Sequence, residues 1–187
     1  MALQPITWSG IHAMAHILFA AGNLLLAAYF FYTILAIWRG APPIPTLRHV
    51  RKTMLELAEI KPGYLVVDLG SGDGRMLIAA ARAGGTAIGY ELNPFLYWFS
   101  KVRVKLLGLS DQITIYRENL FTAPFEEVDV ITAYLGPKLM NQLEPIVKER
   151  MKPGSRFIAN TFPFPNLIAK KQSGKVYQYI VEGTELP

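Results

Sequence analysis

Hydrophobic and polar positions divide the chain into a uniformly apolar opening and an alternating remainder. No Lys, Arg, Asp or Glu precedes Arg39, and Ile17–Trp38 is dominated by Leu, Ala, Ile, Phe and Tyr. A helix that is apolar on every face is either buried all round or crosses a membrane. The 22 residues of this stretch, at about 1.5 Å of rise each, reach roughly 33 Å, enough to cross a hydrocarbon core. Trp8 and Trp38 bracket it at the depths where interfacial aromatics sit, and Arg39, Arg48, Arg51 and Lys52 follow. Basic residues on one flank only place the C-terminal side in the cytoplasm. A cleavable signal peptide needs a charged start and a shorter apolar core, and neither is present. A buried helix of a soluble protein is the competing reading of the same stretch. Inside the span, Asn23 either bonds a neighbouring helix or satisfies itself on the carbonyl four residues earlier. His12 and His16 share a helical face, but two ligands do not make a metal site.

Beyond the span, Ala41-Pro-Pro-Ile-Pro45 cannot propagate a helix and forms a short stiff linker. Residues 1–40 are then an anchor, 41–45 a linker and 46–187 one domain. Thr46 is the expected cap of a helix over Leu47–Ile60, with Leu47, Val50, Met54, Leu57 and Ala58 on one face. Apolar strands and helical stretches then alternate. Strands are predicted over Tyr64–Asp68, Thr86–Glu91, Ile113–Tyr116, Val128–Tyr134, Arg156–Thr161 and Lys175–Val181. Helices are predicted over Met76–Arg82, Phe95–Leu107 and Pro137–Met151, the last kinked or restarted at Pro145. Lys61-Pro-Gly63 and Lys152-Pro-Gly154 are two instances of one helix-to-strand turn. Such alternation implies a mostly parallel sheet covered on both faces, with ligands beyond the carboxyl ends of its strands.

The chemistry is concentrated in Val66–Arg75, VVDLGSGDGR. An apolar strand delivers Asp68, and glycines at 70, 72 and 74 lead into a helix whose first N–H groups face outward. Dinucleotide enzymes read G-x-G-x-x-G at this place, whereas this loop reads D-x-G-x-G-x-G. A second acid, Glu91, closes the next strand about 20 residues on, where a ribose-binding carboxylate belongs, and Asn93-Pro94 starts the following helix. A ligand-free tight turn and a solvated surface Glu are the bland alternatives. Cysteine is absent, which excludes disulfides and thiolate catalysis. The net charge of +5 lies wholly after the span and suits anionic lipid head groups. No basic run interleaved with base-stacking aromatics is present, so no nucleic-acid partner is expected.

VVDLGSGDGR at 66–75, IGYELNP at 88–94, Tyr134-Leu-Gly-Pro137 and Asn160-Thr-Phe-Pro-Phe-Pro165 together resemble the class I S-adenosylmethionine (SAM)-dependent methyltransferases. Within that class they resemble the small protein-lysine N-methyltransferases, including the type that modifies the ATP synthase c-subunit and its archaeal relatives. The resemblance implies an α/β, Rossmann-like, mostly parallel sheet of the class I methyltransferase type, preceded by one transmembrane helix. It implies SAM as the cofactor. Asp68 would orient the methionine end of SAM, and Gly70, Ser71, Gly72, Asp73 and Gly74 would pass beneath the cofactor. Glu91, with Leu92 and Asn93, would hold the ribose, and Asn119, beside Leu120, would meet the adenine. Tyr134, Phe162 and Phe164 would form a dry aromatic mouth for a lysine amine. No Asp, Glu or His lies between Val130 and Gln142, so the proton is expected to leave to water. A full sheet of the class carries a C-terminal hairpin, and only one of its strands is legible. Three functions compete: a membrane-tethered lysine methyltransferase acting on a nearby protein, a methyltransferase of a small amphipathic or lipid-like acceptor, and a non-catalytic SAM-binding protein. With no Arg in the first 38 residues, a bacterial or archaeal inner membrane is the default setting.

Overall fold

A computed structural model of the chain describes residues 8–38 and 45–182. Arg39 and most of the expected linker lie outside the described residues. The opening helix, α1 (Trp8–Trp38), is longer than the predicted span. Its Gly10–Ala36 stretch is long and apolar enough to cross a membrane, and none of that stretch's apolar window is buried in the protein. Asn23 satisfies itself, its side-chain amide donating to the Phe19 carbonyl at 2.8 Å.

The remaining elements are α2 (Arg48–Ala58), β1 (Leu65–Leu69), α3 (Arg75–Arg82), β2 (Thr86–Tyr90), α4 (Pro94–Leu106), β3 (Ile113–Tyr116), a 3-10 turn (Leu120–Thr122), β4 (Val130–Ala133), α5 (Pro137–Arg150), β5 (Arg156–Asn160), β6 (Lys171–Ser173) and β7 (Val176–Ile180). They form one seven-stranded sheet in the order β3-β2-β1-β4-β5-β7-β6. Strands β1 to β5 are parallel, and β7 and β6 run antiparallel at the far edge. The chain steps outward from β1 to β3 and then returns to place β4 beside β1. This reversal opens a crevice at the carboxyl ends of β1 and β4. One face of the sheet packs Met54 and Ala58 of α2, Met76 and Leu77 of α3, and Val104 of α4. The other packs Leu139, Met140, Leu143 and Val147 of α5.

Several boundaries depart from the pattern-based expectation. Thr46 does not cap α2; Leu47 occupies that position without a side-chain bond. The Thr46 carbonyl instead accepts from the Arg75 guanidinium at 3.1 Å. Helix α5 runs unbroken through Pro145, which is tolerated inside it. The missing edge strand is present as β6, three exposed polar residues with no apolar alternation to reveal it. Both Lys-Pro-Gly turns behave alike, with Gly63 and Gly154 at φ 85° and 84°. The α4 helix departs most. Only Ser100 and Val104 are buried, while Phe99, Val102 and Leu106 are exposed.

Candidate functional site at the carboxyl ends of β1, β2 and β4

Strand β1 places Asp68 one residue from its end, buried between β2 and β4. Thr132 of β4 donates its hydroxyl to the Asp68 carboxylate at 2.7 Å. Burial is the main force on this carboxyl and pushes its pKa from 3.8 to about 7; the Thr132 bond opposes the rise, and the neighbouring Glu91 and Asp73 add to it. Among the described ion pairs none involves Asp68. A buried carboxyl in that state gains most from a cationic ligand group that restores its charge.

The loop after β1 turns on glycines held at φ 81° (Gly70), 55° (Gly72) and 74° (Gly74), a region that side chains rarely adopt. The N–H groups of Gly70 and Ser71 both donate to the Tyr90 carbonyl at 3.0 Å, folding the loop back onto β2. Glu91 completes this tie. One of its oxygens accepts from the Gly72 N–H at 2.8 Å, the other from the Asn93 N–H at 2.7 Å. Burial raises the Glu91 pKa, and these backbone bonds oppose the rise. Each carboxylate oxygen keeps a second lone pair for a ligand hydroxyl.

Gly89, in β2 beneath the loop, has no room for a side chain. A Cβ there would lie 2.5 Å from a Leu77 methyl and 2.7 Å from the Ser71 hydroxyl. Gly89→Ala is therefore expected to destabilise the fold by about 1–3 kcal/mol and displace the loop. A thermal melt and a SAM titration of the variant should both shift; an unchanged melting temperature would contradict the contact.

Asp73 has a different task. Its carboxylate accepts a bidentate bond from Arg75, at 2.7 and 2.8 Å, and one from Arg103 of α4 at 3.0 Å. Burial pushes its pKa up, but the arginine bonds and charges outweigh that and hold it low. Asp73 thus rivets the loop to α4.

A cavity of about 600 Å³ opens over this loop, a size suited to a nucleoside-sized ligand. Asp68, Gly70, Ser71, Gly72, Asp73, Glu91, Leu92, Asn93, Leu120 and Tyr134 all line it. Gly74, Asn119, Phe162 and Phe164 do not. Gly74 is instead the N-cap of α3, packed so that a Cβ would lie 3.1 Å from the Ser100 Cβ. Asn119, expected to meet the adenine, is not among the residues lining the cavity. Its side-chain oxygen accepts from the Phe121 N–H at 3.2 Å, capping the 3-10 turn, and Glu118 lines the cavity in its place.

Of the three aromatics expected to form the mouth, Tyr134 lines the cavity and Phe162 and Phe164 do not. Thr161, at φ 72°, turns the chain back after β5. That turn drives Phe164 into the core, where its ring sits 4.7 Å from Phe157 and 4.9 Å from Tyr179, and its N–H donates to the Tyr179 hydroxyl. Phe162 packs against the same core cluster. The aromatic lining comes from Tyr134, Tyr90 and a source the sequence pattern assigned to the membrane alone: Phe31 and Tyr32 of α1, followed by Leu35 and Ala36.

Two buried polar atoms beside the cavity have no partner in the protein, the Ser71 hydroxyl and the Asn93 side-chain NH2. Orphans of this kind are costly unless a ligand satisfies them. Asp68, with no cation beside it among the described ion pairs, the open lone pairs of Glu91 and the bare glycine backbone fit a ligand bearing an ammonium group and ribose hydroxyls. SAM is such a ligand.

Residues 68–171 match the family described as the ANTKMT methyltransferase domain. The chain is 37% identical over 127 residues to the ATP synthase c-subunit lysine N-methyltransferase of Xenopus laevis, covering 68% of this chain and 56% of that one. It is 29% identical to a protein-lysine N-methyltransferase of Saccharolobus islandicus, covering 75% of this chain and 93% of that protein. Among solved structures, an RNA methyltransferase from Salinibacter ruber in complex with S-adenosyl-L-homocysteine superposes with a TM-score of 0.72 at 32% identity. That match covers 77% of this chain and 97% of the other. The chain spans only 53–62% of the length of the frog, rat, human and mouse c-subunit methyltransferases.

Proposed function

This chain belongs to the ANTKMT methyltransferase family, and we propose that it transfers the methyl group of SAM to a lysine of a protein held at a membrane. The observation that carries this reading is the position of the cavity. It lies over the Asp68–Glu91 loop on one side and against the last turns of an apolar, membrane-length helix on the other.

In this reading Asp68 holds the ammonium of SAM and Glu91 the ribose, and Ser71 and Asn93 line the same pocket. Leu92 and Leu120 supply the apolar walls on either side. SAM, when bound, supplies an electrophilic methyl on a sulfonium. The chain's contribution is alignment and exclusion of water. A lysine amine has a pKa near 10.4 in water, and a lining of Tyr134, Phe31, Tyr32 and Leu35 disfavours its charged form. The same π faces tolerate methylated ammonium products. No carboxylate or imidazole lies between Val130 and Gln142, which favours proton loss to water over a dedicated base on that loop.

Membrane proximity follows from the tether, which raises the effective concentration of acceptors in the same bilayer. The basic residues just past α1 favour a catalytic domain on the cytoplasmic side. Incubation of membranes holding the full chain with methyl-labelled SAM tests the acceptor class. Label recovered in protein as methyl-lysine is the expected result. Label confined to the lipid extract or to RNA would contradict the lysine reading, and none would contradict enzymatic activity.

Tyr134 half-buries its ring at the end of β4, at the cavity wall. Tyr134→Phe is expected to lower kcat about tenfold or more while changing SAM affinity by less than about threefold, as befits a group that acts on the acceptor in the transition state. Unchanged kcat would remove the hydroxyl from the acceptor site.

A further inference from the structure

Helix α4 wears its apolar face on the wrong side for a core helix. Phe95, Phe99, Val102 and Leu106 are spaced four, three and four residues apart, so they form one stripe, with Trp98 beside it. The buried residues Ser100 and Val104 lie on the opposite face. Trp98, Phe99, Val102 and Leu106 are 60, 57, 54 and 82% exposed. A contiguous row of that size on a soluble surface marks an interaction site. Lys101 and Lys105 lie on the Trp98 side of the stripe, both exposed. Lys101 reaches back over the Tyr97 and Trp98 rings, at 5.4 and 5.8 Å from their centres.

The stripe is continuous with α1. The Phe95 ring meets Tyr29 at 5.8 Å and Tyr32 at 6.3 Å, both edge-on. That contact sets a depth. Gly10–Ala36 has 27 residues, about 40 Å of helix, which matches a bilayer with its head groups included. Tyr29 and Tyr32 lie seven and four residues before Ala36, roughly 10 and 6 Å inward from that end. Phe95 therefore meets α1 at the boundary between acyl chains and head groups. The rest of the stripe starts from that level.

We propose that the exposed face of α4 docks in the interface of an anionic bilayer, as a second membrane contact beside α1. Trp and Phe on one face, with lysines along one side of it at the head groups, is the composition of a helix lying in that plane. Lys101 and Lys105 match the negative surface potential of the leaflet. Docking at both places fixes the tilt of the domain, so the cavity wall built from Phe31, Tyr32 and Leu35 faces acceptors at the membrane surface. This inference rests on reading α1 as a membrane span.

Tryptophan fluorescence separates the two. The full chain is reconstituted in phosphatidylcholine–phosphatidylglycerol vesicles whose acyl chains carry bromine near the head group. One variant keeps Trp98 alone (Trp8→Phe, Trp38→Phe); its companion keeps Trp38 alone (Trp8→Phe, Trp98→Phe). Docking predicts a blue-shifted and quenched Trp98, together with a quenched Trp38. Adding Phe99→Ser and Leu106→Ser should then relieve the quenching of Trp98 and leave that of Trp38. Quenching of Trp38 without Trp98 overturns the docking of α4 while the span stands. Docking is overturned equally if Trp98 is shielded in a dimer and untouched by the brominated lipid. If neither is quenched, the span fails and the docking fails with it.

Discussion

Asp68→Ala is expected to abolish measurable SAM binding while the domain still folds. The carboxylate is buried, accepts from Thr132, and has no cation to pair with among the described ion pairs. Removing one partner of a buried charge pair costs about 3–5 kcal/mol, a loss of roughly a hundred- to several-thousand-fold in affinity. Asp68→Asn should lose nearly as much, since it keeps the shape but not the charge. Its effect on the ligand-free fold runs the other way. Because burial raises the Asp68 pKa from 3.8 to about 7, the native state holds a proton that the unfolded chain gives up. The contribution of this group to stability is full below pH 3.8 and is lost as pH rises through about 7. Asp68→Asn escapes that loss, so its ligand-free melting temperature at pH 8 should exceed that of the parent. SAM affinity has the opposite slope. Binding needs the ionised carboxylate, so affinity should fall about tenfold per pH unit below 7 and level off above it. Calorimetry across pH 5–8 checks both signs, and a flat profile would mean that Asp68 does not meet the ammonium.

Glu91→Ala has the second largest expected effect, and it should be a double one. The substitution removes the proposed ribose acceptor and also strips the Gly72 and Asn93 N–H groups of their partner. Leaving buried donors unsatisfied costs about 1–3 kcal/mol each. The variant should therefore lose SAM affinity less completely than Asp68→Ala but melt several degrees lower than it. Two backbone donors lose their acceptor, where Asp68→Ala strips only the Thr132 hydroxyl. Glu91→Gln keeps one carbonyl acceptor and should recover part of the stability and less of the affinity. Normal melting with lost binding in Glu91→Ala would mean that the loop holds its shape without this residue.

The glycine loop and its acids were legible because each rests on a local rule. Positive φ needs glycine, a strand end presents a carboxylate, and an Asn-Pro pair opens a helix. Strands β1, β2, β4 and β5 were legible for the same reason, as largely buried apolar runs, and β3 as a short alternating one with Ile113 and Ile115 buried and Thr114 and Tyr116 exposed. What escaped was tertiary. Strand β6 has only exposed polar residues, so pairing with β7 alone defines it. Asn119 and Glu118 are neighbours in sequence, and only the 3-10 turn that Asn119 caps decides which one meets the cavity. The Phe-Pro-Phe-Pro stretch has the composition of a mouth, but the positive φ of Thr161 folds its phenylalanines inward. Most consequential is α1, whose apolar pattern is fully explained by a membrane and conceals that Phe31 and Tyr32 also wall the cavity. Composition does not distinguish a ring facing lipid from a ring facing a substrate.

The most direct test is a crystal structure of the protein grown with S-adenosyl-L-homocysteine. The expected result is the product in the cavity over residues 68–74, its ammonium on Asp68 and its ribose hydroxyls on Glu91. Density for the product elsewhere, or a ribose held by residues other than Glu91 with Asp68 left bare, would contradict it.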